Sequence, residues 1–551
     1  MELTSKADLV DFSQLNVLII DDNRLVHDVL KNVFFNLGFQ TVKCAENAYY
    51  GLRLADEMRF HIIICSFNVK SDKDGFHLLE ELKFKGHVKK TTVLVFLSTE
   101  TDESLVNSIV ELQPDDFWVK PLSPGLVHKR LLHTIEVKKK IFALYYSVDS
   151  KKYSKVIYYA DRYLKDPSFA KYKPNILRMK GEAYLSLLEY KEAEAFYKEL
   201  MEKYSFSWVY AGYVKSLLKQ NRIEEINTLL NELLNKPDTR FAMHDLLAQY
   251  YLEHQQYDEA YIEIQKATKL APRNIERNKK SWDLARLTHD HQGQFIATRN
   301  IAKYAKNSIH DSPELLLNVI RSGIDLACTI TDESSNRILD QVERYIADID
   351  NQYENSGDFK QQILVVQARL LNARDQSKRA ESLLENHLAY RDLGSLEDNL
   401  DKVKVFHELG MREEAIELLN VIRNQISGDS LNSDVLAQYV EQETEERSEI
   451  NFTPKQLNKM AVEYFQMNKM QPALDSVSLA LKLAPNNVKL QFSLFKILIV
   501  IKEQGELEAS HRELADKLVN LLDDSKLDDK KRAVFEDLKS KWLGNTPLDQ
   551  E

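Results

Sequence analysis

Two stretches far apart in the chain, KATKLAPRN (266–274) and LALKLAPNN (479–487), share the pattern Ala-x-Lys-Leu-Ala-Pro-x-Asn. Each closes a similar pair of helical segments. The first pair carries Ala248, Tyr251, Tyr257, Ala260, Ala267 and Pro272. The second carries Ala461, Tyr464, Met470, Ala473, Ala480 and Pro485 at the same spacing. A third copy, MKGEAYLSLLEYKEAEAFYKEL, offers Gly181, Tyr184, Tyr190, Ala193 and Tyr197. A unit that recurs this way cannot bury its apolar face alone, so its copies must stack. Composition agrees. Beyond about residue 120 the chain is rich in Leu, Ala, Glu, Lys and Tyr and poor in Gly, a helix-only vocabulary.

These positions resemble the tetratricopeptide repeat, a helix–turn–helix unit of about 34 residues. The small residues let paired helices approach, the tyrosines wedge between them, and the prolines end each unit. Weaker copies have tips at Tyr153, Ile223, Phe295, Ser377 and Gly410. The expected division is 141–305 for a first block of repeats, 306–442 for divergent helical repeats, and 453–545 for a final repeat with capping helices. ETEERSEINFT (443–453) reads as an exposed connection, and RNKK (277–280) as a solvated face. The histidines of THDH (288–291) stand two residues apart, which would aim them to different sides of a helix rather than at one metal. A stack of this kind implies a concave groove that holds a peptide or helix from another protein.

The first quarter of the chain has a different pattern. NVLII (16–20), TVKCA (41–45), HIIIC (61–65), TVLVFLS (92–98) and DFWVK (116–120) are mostly continuous apolar runs, as strands covered on both faces must be. Amphipathic segments separate them. In NRLVHDVLKNVFFNLG the apolar residues Leu25, Val26, Val29, Leu30, Val33, Phe34 and Leu37 follow helical spacing. Alternating strands and helices imply a parallel sheet whose chemistry sits at the carboxyl ends of the strands. Those ends present Asp21 and Asp22, then Ser66, then Ser98 and Thr99, then Lys120 followed by Pro121. Two acids, a hydroxyl and an ammonium on one edge suit a divalent cation and a phosphoryl group.

LNVLIIDDNRLVHDVLKNVFFNLGF and DDFWVKPLSPGLV closely resemble the receiver domains of bacterial response regulators, over residues 12–140. The resemblance implies a flavodoxin-like α/β domain with a five-stranded parallel sheet, followed here by an all-α tetratricopeptide-repeat superhelix. It equates Asp21 and Asp22 with the magnesium-binding acids. Ser98 matches the residue that senses the phosphoryl group, Phe117 the aromatic switch residue and Lys120 the invariant lysine. The lysine–proline bond is typically cis. Asn68 and the pair Asp74–Gly75 match the loop after the phosphorylation site. The family's phosphoacceptor is an aspartate at the end of strand three. Alignment through Asn68 puts Ser66 there, and alignment through Asp74–Gly75 suggests Phe67. Neither is an acid, and Asp72 and Asp74 lie farther out on the loop.

The substitution has a chemical consequence. A carboxylate is ionised at neutral pH and attacks a phosphodonor directly, whereas a serine hydroxyl needs a base. Loss of the third carboxylate also weakens any magnesium site, and Asp21 and Asp22 facing Lys120 can form an ion-pair cluster with no metal. The expectation is therefore a degenerate receiver, with no cofactor required. No P-loop, HExxH or nucleophile elbow is present, and net charge is −11, so neither an enzyme nor a nucleic-acid or membrane-surface binder is expected. The three cysteines lie far apart and fit a reducing cytoplasm. The longest late aliphatic run, ILIVI (497–501), is too short for a bilayer.

The leading expectation is a non-enzymatic regulator of a bacterial two-component pathway. Its receiver-like domain docks a histidine kinase or another response regulator, and inhibits or modulates phosphotransfer. Its repeat groove binds a further protein. The alternatives are a phosphorylation-controlled regulator and an assembly factor or co-chaperone. Receivers often dimerise through the face of strands four and five, so a homodimer is a further expectation.

Overall fold

The computed structural model describes residues 12–543 apart from 68, 70–72, 101, 331–332, 354–355, 388–393, 427–430, 486, 506, 525–526 and 528. Five strands, β1 (Asn16–Ile20), β2 (Thr41–Ala45), β3 (Ile62–Ser66), β4 (Val93–Ser98) and β5 (Asp116–Val119), form one sheet in the order β2-β1-β3-β4-β5. All neighbours are parallel, with Ile20 opposite Cys65 and Ser66 opposite Leu97. Both faces are covered, which explains the unbroken apolar runs. Leu18, Ile20, Ile63, Cys65, Leu94 and Phe96 serve one core, and Val17, Ile19, Ile62, Ile64, Val95 and Leu97 the other.

Five helices accompany the sheet: α1 (Arg24–Asn36), α2 (Ala48–Glu57), α3 (Gly75–Phe84), α4 (Glu103–Glu111) and α5 (Pro124–Lys140). Asn23, Asn47, Asp74 and Asp102 cap α1 to α4 by accepting backbone N–H groups, so each strand-to-helix loop ends in a defined stop.

The rest of the described chain is helical. Two compact units divide it, 1–277 with 303–311 and 278–302 with 312–551. The first joins the sheet domain to α6 (Phe142–Asp149), α7 (Tyr153–Lys165), α8 (Lys173–Ser186), α9 (Tyr190–Met201), α10 (Ser207–Leu218), α11 (Asn227–Leu234), α12 (Pro237–Glu253), α13 (Tyr257–Leu270) and the start of α14 (Ile275–Leu287). The second contains most of α15 (His291–Ala305), then α16 (Pro313–Thr329), α17 (Glu333–Gln352), α18 (Lys360–Ala373), α19 (Ser377–His387), α20 (Leu396–Glu408) and α21 (Arg412–Gln425). It ends with α22 (Leu431–Glu449), α23 (Pro454–Gln466), α24 (Met470–Leu483), α25 (Val488–Gln504), α26 (Ala509–Asp524) and α27 (Asp529–Leu543).

The repeat logic is visible in the packing. Ala248, Ala260, Ala267, Ala461, Ala473 and Ala480 are all buried. Tyr197 is fully buried between Gly181 and Gly212, where an added Cβ on either glycine would overlap its ring. The turns inside the helix pairs are made by single left-handed residues, Lys151, Leu188, Asn221, Gln255, His289, Asp375, Gly410 and Asn468. One expected tip moves: Phe295 lies inside α15, and the turn falls at His289. His289 and His291 therefore do not share a helix face, and their rings stand 6.4 Å apart. The expected connection at 443–453 also differs. α22 continues to Glu449, and Glu446 and Ile450 are buried. The reason is that its charged residues find partners: Glu446 meets His289, and Glu443 holds Arg447.

Candidate functional site

At the carboxyl edge of the sheet, β1 delivers Asp21 and β3 delivers Ser66, both fully buried. Lys120, just past β5, reaches between them. Its Nζ donates to Ser66 Oγ at 2.8 Å and lies 2.7 Å from Asp21 Oδ2. The contact to Oδ2 is an ion pair without hydrogen-bond alignment, since that oxygen has no aligned donor. Asp21 Oδ1 accepts the Asn23 backbone N–H at 2.9 Å. Asp22 is half-buried at the rim. Ser98 is buried and its Oγ accepts the Glu100 N–H at 2.9 Å. Phe117 is half-buried and stacks on Phe96 with ring centroids 6.4 Å apart. The Lys120–Pro121 bond is cis.

Ser66 and Phe67 separate clearly. Ser66 is the last residue of β3 and touches the lysine, whereas Phe67 takes the Arg273 guanidinium on its ring face. Gly75 packs directly on the Ser66 carbonyl, where a Cβ would overlap it. Asp74 is turned to other work, capping α3 through His77 N at 3.0 Å and pairing with Arg273 at 2.7 Å. Asn68 and Asp72 lie outside the described residues. Cys65 is fully buried, and burial pushes its thiol far above the ordinary range. His27, on α1, is buried; desolvation lowers its pKa, and Asp21 opposes the shift.

The donor set is poor for magnesium, which needs octahedral oxygen ligation. Asp21 is already engaged by an ammonium and a backbone N–H, and the third ligand position is a neutral hydroxyl held by the same lysine. Among the described residues no group of three or more His, Cys, Asp and Glu side chains is placed to hold a metal. The buried part of the arrangement neutralises itself, one cation satisfying the Asp21 carboxylate and the Ser66 hydroxyl, while Asp22 stands outside it at the rim.

The interior of the second unit is charged. Arg369, fully buried, donates to Asp325 and Asp401 at 2.7 Å each and to Glu408. Lys404 pairs with Asp325 at 2.6 Å, and Arg286 lies over the rings of Trp282 and Tyr439. A cavity of about 100 Å³ remains among Arg286, His291, Arg369, Lys404, Glu443 and Arg447. The run RNKK also departs from the expected solvated face, because Arg277 is 5% exposed and pairs with Glu111 of the sheet domain. Sequence reasoning missed this arginine and its companions Arg240 and Arg273. Only the fold brings them to acids more than 130 residues away in sequence, Arg240 to Glu103 and Arg273 to Asp74.

Residues 17–132 match the family model for the response regulator receiver domain. A probable chemotaxis protein CheY of Rhizobium etli is 26% identical over 110 residues, covering 20% of this chain and 84% of that protein. The structure of CheY4 of Vibrio cholerae is 23% identical, covering 22% of this chain and 98% of its own, with a TM-score of 0.20. The structure of the APC/C heterotetramer Cut9–Hcn1 is 12% identical over 76% of this chain and 99% of that chain, with a TM-score of 0.24. Among the described residues no helix is long and apolar enough to cross a membrane.

Proposed function

From a receiver domain joined to a helical-repeat region, we propose that this chain is a non-enzymatic regulator in a cytoplasmic two-component pathway and acts by binding proteins. It works without phosphorylation and without a cofactor. The observation that carries this reading is the Lys120 ammonium shared by Asp21 and Ser66. In that setting Ser66 is no nucleophile. Its hydroxyl accepts from a cation, and β3 ends in that hydroxyl rather than in a carboxylate. The preserved receiver surface then serves as a docking face for a histidine kinase or another response regulator. Occupying that face of a kinase blocks transfer to a competent receiver. Support for binding as the output comes from the repeats, whose stacked helices present extended surface.

Incubation of the full chain with magnesium and a small acyl phosphodonor, followed by intact mass, tests this. The expected result is an unchanged mass. A stoichiometric adduct of about 80 Da, one phosphoryl group, mapped to residues 61–75 would overturn the reading.

A further inference from the structure

Within the first unit the sheet domain is held by the repeats at two places of different character. At one, α5 runs through Ile141 into α6, and Val137, Ile141, Leu144 and Val156 share a buried apolar core. Lys138 adds an ion pair to Asp115 at 2.9 Å. This junction is permanent. At the other, α12 and the α13–α14 turn return to the opposite side of the domain and meet α4, Phe67 and Asp74.

That second seam is polar and sorted by sign. In the pairs that cross it the repeats supply the cations and the receiver the acids, while Asp245 of α12 is a second acid on Arg277 at 3.1 Å. Arg240 holds Glu103 at the start of α4 at 2.6 Å. Arg277 pairs with Glu111 at the end of α4, and Asn274 donates to the same carboxylate at 3.1 Å. Arg273 donates to Asp74 at 2.7 Å and lies 4.8 Å from the centroid of the Phe67 ring. Asn107, midway along α4, donates to the Leu270 carbonyl at 3.3 Å. Burial raises the Glu111 pKa against the pull of Arg277, so that pair is desolvated. Seams built from charge pairs fix register and partner choice, and they separate more readily than an apolar core. The seam brings α12 and the α13–α14 turn, distant in sequence from the sheet domain, back onto it through paired charges.

We infer that the row Arg240, Arg273 and Arg277 is a receiver-binding surface, held shut by the chain's own receiver domain and able to take another regulator's receiver bearing the same acids. Its partner presents carboxylates at both ends of α4 and one at the start of α3. The degenerate domain acts as the resident occupant that such a receiver displaces. This rests on the reading that the chain binds two-component proteins, and it adds which surface binds and what that surface recognises.

Two full-length variants test it without any kinase, so failure of kinase binding and failure of the seam are separate results. E103R/E111R strips Arg240 and Arg277 of their α4 acids while Asp74 stays on Arg273, and R240E/R277E leaves the acidic α4 face without its arginines. Each alone is expected to remain monomeric by light scattering and to lose hydrogen-exchange protection in α4. Mixed, they are expected to form a one-to-one complex with twice the 64.0 kDa mass of one chain. The fourfold swap E103R/E111R/R240E/R277E is expected to restore the seam, regain α4 protection and bind neither partner. Far-ultraviolet circular dichroism confirms that each variant is folded. A mixture that stays monomeric, or α4 protection unchanged in both double variants, overturns the inference.

Discussion

Replacing Ser66 with aspartate gives a quantitative test of how the acidic pocket is balanced. Lys120 Nζ lies 2.7 Å from Asp21 Oδ2 and 2.8 Å from Ser66 Oγ, so the two oxygens stand at most about 5.5 Å apart. A carboxylate placed at Ser66 would repel Asp21 by roughly 3 kcal/mol at an effective dielectric constant near 20 and would cost several kcal/mol more in desolvation at this fully buried position, which together outweigh its attraction to Lys120 of roughly 6 kcal/mol. One ammonium cannot neutralise both. A divalent cation can, and at about a hundredfold excess over its dissociation constant it returns roughly 2.7 kcal/mol of stability. Hydrogen exchange of the β1 and β3 amides reads the opening free energy of this domain directly. In EDTA, Ser66→Asp is expected to speed that exchange by about a hundredfold, since each tenfold is about 1.4 kcal/mol. Saturating magnesium is expected to restore it, while the wild-type chain responds to neither. If magnesium protects the wild-type strands as strongly as the variant's, the self-neutralised pocket is wrong. A variant unaffected in EDTA would refute the repulsion.

Other perturbations probe the second unit and the core. Arg369→Met leaves Asp325, Asp401 and Glu408 facing one another in the interior. Loss of about 3–5 kcal/mol is expected, read as a lower urea midpoint for the transition that exposes α18 and α20. His407 is buried, and burial with repulsion from Arg447 lowers its pKa to about 4. Its ring N–H goes to the Ile450 carbonyl at 2.8 Å, which fixes Nε2 as the donor. The neutral form is thus favoured by folding. Its contribution, roughly 3 kcal/mol for about 2.5 pKa units, is full above pH 6.5 and lost as pH falls toward 4. His407→Gln is expected to flatten the acid limb of a stability–pH profile between those values, and an unchanged limb would show that other groups govern it. Cys65 should resist alkylation in the native chain and react only after unfolding. Stoichiometric labelling of that residue under native conditions would contradict its burial.

The degree to which the sequence was legible follows the range of the interactions. The strands could be read because burial on both faces forces continuous apolar runs, and Asp21, Ser66, Ser98 and Lys120 could be placed because parallel topology brings strand ends to one edge. The best helix pairs were legible where Ala248, Ala260, Ala461 and Ala473 keep their spacing, since close helix approach tolerates little else. Where those residues erode, the reading slipped. The tip placed at Phe295 belongs at His289, and the end of α22, 443–449, reads as a connection because its charges look solvated until His289 stands beside Glu446.

The sequence by itself thus determined two local architectures and a serine at the end of β3. Periodicity is a local property, and residue identity is a fact of one position. Only the tertiary structure decided where the charges go. Whether Arg277 faces water or Glu111, and whether Arg369 sits among three carboxylates, depends on residues 32 to 166 positions away. A charge carries no sign of its partner in its own neighbourhood. The return of α12 and the α13–α14 turn to α4 sets Arg240, Arg273 and Arg277, dispersed in the sequence, against Glu103, Asp74 and Glu111.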